Sequence, residues 1–205
     1  MTEVELSRRE RKKDETRERI AQAALSLFVE KGFAATTVDE IAQRADVAKG
    51  TFFNYFPRKE AVLAVVAHEH LLDLHERTER LLAEPGGNLR EKLIELFVAG
   101  ARHLQQHPDL SLHMYLEFFK GPVSALVEVD TRAQGSVRQM IERGQATGDF
   151  RSDVPVERIS YVLRGTYFFT TLSWLSCPEM YDLVDELRRR LEVVLDGVCP
   201  RGSTT

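Results

Sequence analysis

Hydrophobic positions recur every three to four residues along most of the chain, which is the spacing of an amphipathic α-helix. In the first sixty residues the pattern predicts a helix over about 12–31, a helix of about eight residues after Thr37, and a third over 49–56. Thr37 and Glu40 have the spacing of a capping box. Alternating β-branched residues are scarce, so we expect an all-α fold.

The two short helices are joined by a tight turn at residues 46–48, and this arrangement is typical of a helix-turn-helix. Any small helical hairpin would give the same periodicity. The spacing alone therefore leaves DNA binding open.

The rest of the chain predicts a C-terminal helical bundle. We place the domains at 1–57, with residues 1–8 disordered, and at 58–205. Pro and Gly positions separate the predicted helices of the second domain, which cover about 58–83, 89–104, 110–119, 126–146, 155–174 and 178–198.

The last predicted helix has an apolar seam with alternating steps of four and three residues, as in a coiled coil. With the preceding helix, we expect it to form a four-helix interface with a second subunit. Packing inside one chain is the alternative. The seam consists of Met180, Val184, Leu187, Leu191, Val194 and Val198.

Charge is unevenly distributed along the 205 residues, although the net charge is only −4. Residues 1–60 carry 12 Lys and Arg against 11 Asp and Glu, whereas the remaining 145 carry 16 against 21. If the protein binds nucleic acid, it would do so with the N-terminal part; a solvated first helix would give the same charge pattern. The two cysteines, Cys177 and Cys199, suit a reducing compartment. With no signal peptide or membrane span in the pattern, we expect a cytoplasmic protein.

Residues 32–63 read GFAATTVDEIAQRADVAKGTFFNYFPRKEAVL. This segment resembles the N-terminal domain of TetR-family transcriptional regulators. The resemblance implies that the second helix crosses the DNA backbone and the third lies in the major groove. The chain departs from the common pattern at Asp46 in the turn, at Ala48, where serine often caps the third helix, and at Phe53, where tyrosine is common.

The resemblance and side-chain chemistry together predict a DNA-binding site. Lys49 can reach guanine and Asn54 can read adenine, whereas the other polar side chains position the backbone. Phe52 and Phe56 are expected in the core. The predicted site consists of Thr37, Lys49, Gly50, Thr51, Asn54, Tyr55 and Lys59.

A ligand cavity is expected among the middle helices, where aromatic residues and one cation occur. For each aromatic residue, a plain core role is the alternative. Arg164 would anchor an anionic ligand or pair with a protein carboxylate. The candidates are Tyr115, Phe118, Phe119, Arg164, Tyr167, Phe168 and Trp174.

Catalytic motifs are not found in the sequence. His103 and His107 have the spacing for one helix face, but no Glu-x-x-His or His-Glu-x-x-His motif occurs. We therefore expect no enzyme activity, cofactor or metal site. Together with the resemblance, which implies repression, the sequence predicts a dimeric, ligand-responsive regulator that binds a (pseudo)palindromic operator and is released by a small-molecule effector. The alternatives are a constitutive repressor without an effector, and a helical ligand- or metal-binding protein that no longer binds DNA.

Overall fold

The computed structural model describes residues 8–84, 86–120, 135 and 137–198, without the side chains of residues 8–10, 66–75 and 118–120. Within these residues the chain is helical and contains no strand, so the predicted all-α fold is confirmed. The chain divides into two compact units, residues 1–67 and 68–205. The disorder predicted for residues 1–8 and the thiol of Cys199 lie outside the described residues, except for the backbone of Arg8.

The first unit consists of three helices and a short 3₁₀ turn. Helix α1 spans Arg8–Lys31, α2 spans Val38–Arg44, α3 spans Lys49–Tyr55, and the 3₁₀ turn spans Lys59–Val62. Helix α2 packs against both α1 and α3. Helix α1 ends before Gly32, whose positive φ of 89° suits the residue after a helix. Apolar side chains from all of these elements are buried, including Ile20, Ala24, Phe28, Ile41, Phe52, Phe56 and Val62.

The turn between α2 and α3 forms although Asp46 and Ala48 depart from the common family pattern. Asp46 has a φ of 50° and is the one non-glycine among the described residues with a positive φ. Asp tolerates this left-handed conformation better than most residues, so the turn forms without glycine. Ala48 precedes α3 as its N-cap and makes no side-chain hydrogen bond to it.

The segment after α3 differs from the predicted continuous helix. Arg58 is extended, residues Lys59–Val62 form the 3₁₀ turn, and helix α4 begins at Leu63 and ends at Ala83. Val62 and Leu63 are buried, and Lys59 donates hydrogen bonds to Phe33 and Thr36. These contacts hold the start of the fourth predicted helix in the first unit. The domain boundary at 57/58 stays a prediction.

The second unit is a bundle of helices. After α4 come α5 (Leu89–Gln106), α6 (Pro108–Lys120), α7 (residues 137–147), α8 (Val156–Ser176) and α9 (Leu183–Val198). Helix α9 packs against α5 and α8, and α6 packs against α8. Most of the predicted helix over 126–146 before residue 137 lies outside the described residues. The core contains Leu93, Ile94, Leu96, Val98, Met140, Ile141, Ile159, Leu163, Leu187 and Leu191.

The last predicted helix begins later than its sequence pattern suggests. Residues Pro178–Met180 form a separate 3₁₀ turn, Tyr181 is extended, and α9 starts at Leu183. Met180 therefore lies outside the helix whose seam it was expected to continue. Its side chain is 67% exposed.

Candidate functional site

The N-terminus of α2 is a complete capping box, as the sequence predicts. The Thr37 hydroxyl accepts a hydrogen bond from the Glu40 backbone N–H at 3.3 Å and donates to Glu40 Oε2 at 2.7 Å. The Thr37 N–H donates to the same carboxylate at 2.9 Å. Lys31 also binds Glu40, and these interactions, led by the Lys31 hydrogen bond, lower the pKa of Glu40 to about 2. These hydrogen bonds therefore define the backbone conformation at the start of α2.

Helix α3 divides into a buried side and an exposed side. Phe52 and Phe56 are buried, as expected, and their ring centroids lie 5.7 Å apart. Thr51 and Tyr55 are half-buried at the boundary. The exposed side carries Lys49, Gly50, Phe53 and Asn54. It therefore brings together the two residues predicted to read bases.

Gly50 and Phe53 complete this exposed side in different ways. A Cβ atom built on Gly50 would have no neighbour within 4 Å, so packing inside this unit does not require a glycine there. Phe53 is 46% exposed. An exposed phenylalanine beside Asn54 can make an apolar contact with a thymine methyl group. The sequence does not assign a role to Phe53, because the exposure that indicates a DNA contact is visible only in the structure.

The ammonium group of Lys49 already has a partner on α2. Its Nζ atom lies 2.9 Å from the Asp39 carboxylate, and both side chains are more than half exposed. A surface pair of this kind is worth little energy in itself. Asp39 places a carboxylate beside the side chain that is predicted to read bases. Sequence reasoning did not identify Asp39.

Lys59 occupies a different environment from the other candidates. Its Nζ atom donates to the carbonyl oxygens of Phe33 and Thr36, at 2.7 Å each. The ammonium also lies 4.3 Å from the centroid of the Phe33 ring. Burial lowers the pKa of Lys59. Two of its three N–H bonds are thus committed to the backbone, and its phosphate contact stays a prediction.

Helix α2 is also fixed to α1 by charged side chains. The Arg44 guanidinium binds the Glu30 carboxylate through two hydrogen bonds, of 2.7 and 2.9 Å. This pairing lowers the pKa of Glu30. Bidentate Arg–carboxylate pairs add geometric specificity, so this pair helps to set the orientation of α2.

In the second unit, three of the ligand candidates lie close together between α5, α6 and α8. The Tyr115 ring stacks on Phe168, with 5.3 Å between centroids, and the Tyr167 ring lies 5.6 Å from that of Phe97 in a tilted arrangement. A Cβ atom at Gly100 would come within 3.0 Å of the Tyr167 hydroxyl, so glycine leaves room for that ring. The side chains of Phe118 and Phe119 lie outside the described residues.

A buried hydrogen-bond chain accompanies these rings. The Tyr115 hydroxyl lies 2.5 Å from the Thr171 hydroxyl, which itself donates to the carbonyl of Tyr167 or Phe168. Tyr115 is therefore the donor to Thr171. Burial raises the pKa of Tyr115 to about 12 and also raises the pKa of Tyr167 well above its ordinary value. Thr171 follows Tyr167 by one helical turn, a spacing that could have revealed it in the sequence.

The remaining ligand candidates do not join this group in the same way. Trp174 is buried in the main core of the second unit. Arg164 is half-buried on α8, and burial lowers the pKa of its guanidinium. A partly desolvated arginine is suited to binding an anion. Its role as a ligand anchor stays a prediction.

Two residues of the predicted subunit seam require a correction, whereas the interface role of Val184 and Val194 stays a prediction. Leu187 and Leu191 are completely buried inside one chain, and Val184 and Val194 are half-buried. Leucines without exposed surface cannot contact a second subunit, so the intrachain alternative holds for these two. The buried row of α9 is Leu183, Leu187, Leu191 and Leu195, with steps of four residues, and α9 packs against α5 and α8.

The opposite side of α8 and α9 exposes a second set of apolar side chains. Phe169 is 67% exposed and Val193 is 74% exposed. They line an open groove of about 330 Å³ together with Thr166, Thr170, Arg190 and Val194. Tyr161 and Val162 are also exposed on α8. Contiguous apolar surface of this kind marks interaction sites.

His107 lies at the end of α5, and His103 is exposed one turn earlier. No group of three or more metal-binding side chains is found in the described residues. Nor does any helix there have the length and apolar character needed to cross a bilayer.

A helix-turn-helix unit with an exposed third helix, joined to a helical bundle, defines a class of ligand-responsive DNA-binding regulators. Residues 20–66 match the family described as bacterial regulatory proteins, tetR family. Residues 68–197 match the C-terminal domain of TetR/AcrR family transcriptional repressors. The chain therefore belongs to the TetR family. The predictions of an operator-binding, ligand-responsive regulator and of a dimer are confirmed at this level.

Individual relatives cover nearly the whole chain. The structure is similar to Thermus thermophilus FadR, a TetR-family repressor solved with lauroyl-CoA, with 34% identity and a TM-score of 0.77 over 92% of this chain and 98% of that one. The fatty acid metabolism regulator protein of Bacillus subtilis is 25% identical over 87% of this chain and 93% of its own length. The repressor KstR2 of Mycolicibacterium smegmatis is 26% identical over 89% and 90%.

Proposed function

We propose that this protein is a transcriptional repressor whose effector is a fatty acyl-CoA. The observation that carries the proposal is the 34% identity to a repressor solved with lauroyl-CoA. The name of the Bacillus subtilis relative, a fatty acid metabolism regulator, points in the same direction. We further propose that the protein is cytoplasmic and has no enzyme activity of its own.

The second unit offers the two kinds of surface that an acyl-CoA needs. An acyl chain needs apolar walls, and the rings of Phe97, Tyr167 and Phe168 supply them between α5 and α8. The phosphate groups of CoA need cations, and Arg164 is a half-buried cation on α8. We propose that the acyl chain lies along the rings and that Arg164 binds an anionic group.

The first unit would read the operator with α3. Lys49 and Asn54 contact bases, Gly50 allows close approach of the backbone, and Thr37 and Tyr55 contact phosphates. Thr51 contacts a phosphate or a thymine methyl group. Since the Thr37 hydroxyl is engaged with Glu40, its phosphate contact uses the amide groups at the N-terminus of α2.

A dimer presents two α3 helices to half-sites about 34 Å apart, or a multiple of that distance. We propose that the exposed apolar side of α8 and α9, with Phe169 and Val193, forms the subunit interface. Effector binding weakens operator binding when it favours a dimer with a different spacing. A coupling of about 1–3 kcal/mol corresponds to a 5- to 150-fold change in operator affinity.

The experiment is a titration of the protein on an operator selected from random DNA. Lauroyl-CoA and stearoyl-CoA should release the operator, whereas free CoA and laurate at the same concentrations serve as controls. By reciprocity, the operator should weaken acyl-CoA binding by the same factor. Arg164→Ala should weaken acyl-CoA binding and leave the ligand-free operator affinity nearly unchanged.

Two results would separate the parts of this proposal. If acyl-CoA binds with equal affinity in the presence and absence of operator, it is not the effector. If Arg164→Ala binds acyl-CoA as the parent does, another cation is the anchor. Operator binding that no acyl-CoA and no cell extract releases would favour a constitutive repressor.

A further inference from the structure

Lys59 joins two parts of the first unit that are far apart in sequence. Its ammonium group binds the carbonyl oxygen of Phe33, 26 residues earlier, and that of Thr36, 23 residues earlier. The segment between Thr36 and Lys59 contains the whole of α2 and α3. The two hydrogen bonds therefore connect the start of the helix-turn-helix to its end.

We propose that Lys59 is a positioning residue, which clasps the helix-turn-helix and governs operator binding through the shape of the turn between α1 and α2. It acts in the DNA-free protein as well as in the complex. The proposal rests on operator binding by the first unit, but not on the identity of the effector.

The environment of the ammonium group fits this role better than that of a mobile phosphate contact. Hydrogen bonds from an ionised donor are stronger than neutral ones, and Lys59 makes two at 2.7 Å. The face of the Phe33 ring lies 4.3 Å away and adds a cation–π contact. A phosphate would find at most one N–H of Lys59 available.

The turn that Lys59 holds leads directly to the DNA-facing residues. The Thr36 hydroxyl donates to the Gly32 carbonyl at 2.8 Å, and the next residue, Thr37, is the N-cap of α2. Helix α3 packs against α2. A change in the turn therefore alters the direction of α2 and, through it, the position of α3.

The second unit contains a matched control. Lys92 Nζ donates to the carbonyls of Leu81 and Glu84, at 2.8 Å each, across the loop between α4 and α5. Lys59 and Lys92 thus make the same pair of contacts, but only Lys59 does so beside the helix-turn-helix. Lys59→Met and Lys92→Met each remove one ammonium and keep a long apolar side chain.

The first test is amide hydrogen exchange in the DNA-free, full-length protein. Lys59→Met should accelerate exchange across residues 33–41 by about tenfold, as expected for the loss of hydrogen bonds from a charged donor. Operator affinity should fall by about 10- to 100-fold. Lys92→Met should accelerate exchange near residues 81–84, and leave both the exchange of residues 33–41 and the operator affinity unchanged.

A phosphate contact alone would give a different result. Lys59→Met would then leave exchange of residues 33–41 unchanged. It would only reduce the slope of log affinity against log salt, by about 0.9 for each half-site. That outcome would overturn the proposal, as would an unchanged operator affinity together with unchanged exchange.

A measurement on the unmodified protein covers the case in which Lys59→Met fails to fold. With 15N-labelled lysine, the Lys59 ammonium should be observable in the DNA-free protein, because its protons are hydrogen-bonded and shielded by the Phe33 ring. Adding operator should shift this resonance little. An ammonium signal that exchanges as fast as that of Lys49, or that shifts strongly with operator, would contradict the clasp.

Discussion

The two units of the chain differ in how much their polar side chains add to helices that a core already holds. In the first unit, charged groups pair at the surface and set the direction of short helices, as Glu30 and Arg44 do for α2. In the second unit, hydroxyl groups of Tyr115 and Thr171 pair inside the bundle. Surface ion pairs also occur in the second unit, as between Arg138 and Glu142, but its long helices bury a larger apolar core.

The difference reflects helix length. Helices α2 and α3 have seven residues each, too few to be stable alone. Their apolar faces are small, so caps, ion pairs and the hydrogen bonds of Lys59 add to the stability of these two helices. Helices α8 and α9 have 21 and 16 residues; α9 buries a row of four leucines, and α8 buries apolar side chains such as Leu163 and Trp174. Substitutions should therefore affect the two units by different mechanisms.

The largest expected effect is that of a charge at the centre of the second unit. Leu187→Glu places a carboxylate where the parent side chain has no exposed surface. We expect a loss of more than about 4 kcal/mol in the free energy of unfolding. Circular dichroism during thermal unfolding, with light scattering, would measure it.

Val193→Glu is the matched substitution on the other side of α9, where Val193 is 74% exposed. It should yield a monomer with intact helix content, because the charge enters the proposed subunit interface instead of the core. A folded monomer from Leu187→Glu would contradict the assignment of that leucine to the core. A Val193→Glu dimer would move the interface away from this face.

Substitution of a residue that is predicted to contact bases should have the next largest effect, on operator affinity. Asn54→Ala should cost about 1–3 kcal/mol of binding free energy on the selected operator and reduce discrimination between operators. Fluorescence anisotropy with operator and with unrelated DNA measures both. Unrelated DNA is the control, because its binding depends on phosphates. Equal losses on both DNAs would make Asn54 a phosphate contact.

The sequence predicts the two units unequally well. The segment from Gly32 to Leu63 specifies its caps and turns locally, so Thr37, Gly32 and Asp46 adopt the predicted conformations. Contacts between distant residues carry no such local signal. The hydrogen bonds of Lys59 to residues more than twenty positions earlier could therefore not be predicted from the sequence. The same is true of which side of α9 is buried.

Periodicity explains the largest discrepancy. A row of apolar residues on α9 indicates that one side is buried, but not against which partner. Leu187 and Leu191 pack inside their own chain, and the exposed apolar groove lies across α8 and α9 instead. The same holds for Arg164 and the aromatic candidates. Core residues and residues that line a ligand cavity are of the same types, so the sequence does not distinguish them.

Removing one hydroxyl of the Tyr115–Thr171 pair should have a smaller effect, on the stability of the second unit. Tyr115→Phe removes the hydrogen bond to Thr171 and keeps the ring stacked on Phe168. Because Thr171 still donates to the backbone, we expect a loss of about 0.5–1.5 kcal/mol in stability. Chemical denaturation measures it, and Tyr161→Phe, at an exposed position on α8, is the control. Operator affinity without ligand should remain that of the parent.

The smallest expected effect is a pH dependence of the capping box at the start of α2. The pKa of Glu40 is about 2 in the folded protein, below its usual value of 4.5, chiefly because Lys31 and Thr37 bind its carboxylate. A lowered folded-state pKa stabilises the fold above the unfolded pKa. That stabilisation is lost as the pH falls from about 4.5 towards 2. Amide exchange at residues 37–41 between pH 5 and pH 2.5 should therefore accelerate beyond its intrinsic pH dependence.

Glu40→Gln separates this carboxylate from the other acids of the first unit. The substitution keeps a side chain that can accept the Thr37 N–H, but it removes the titrating group and the ion pair with Lys31. Exchange at residues 37–41 should then lose its additional pH dependence, while Glu30, whose pKa is also lowered, continues to titrate against Arg44. An unchanged pH profile in Glu40→Gln would assign the effect to Glu30, and the capping box would then contribute through its geometry and not through its charge.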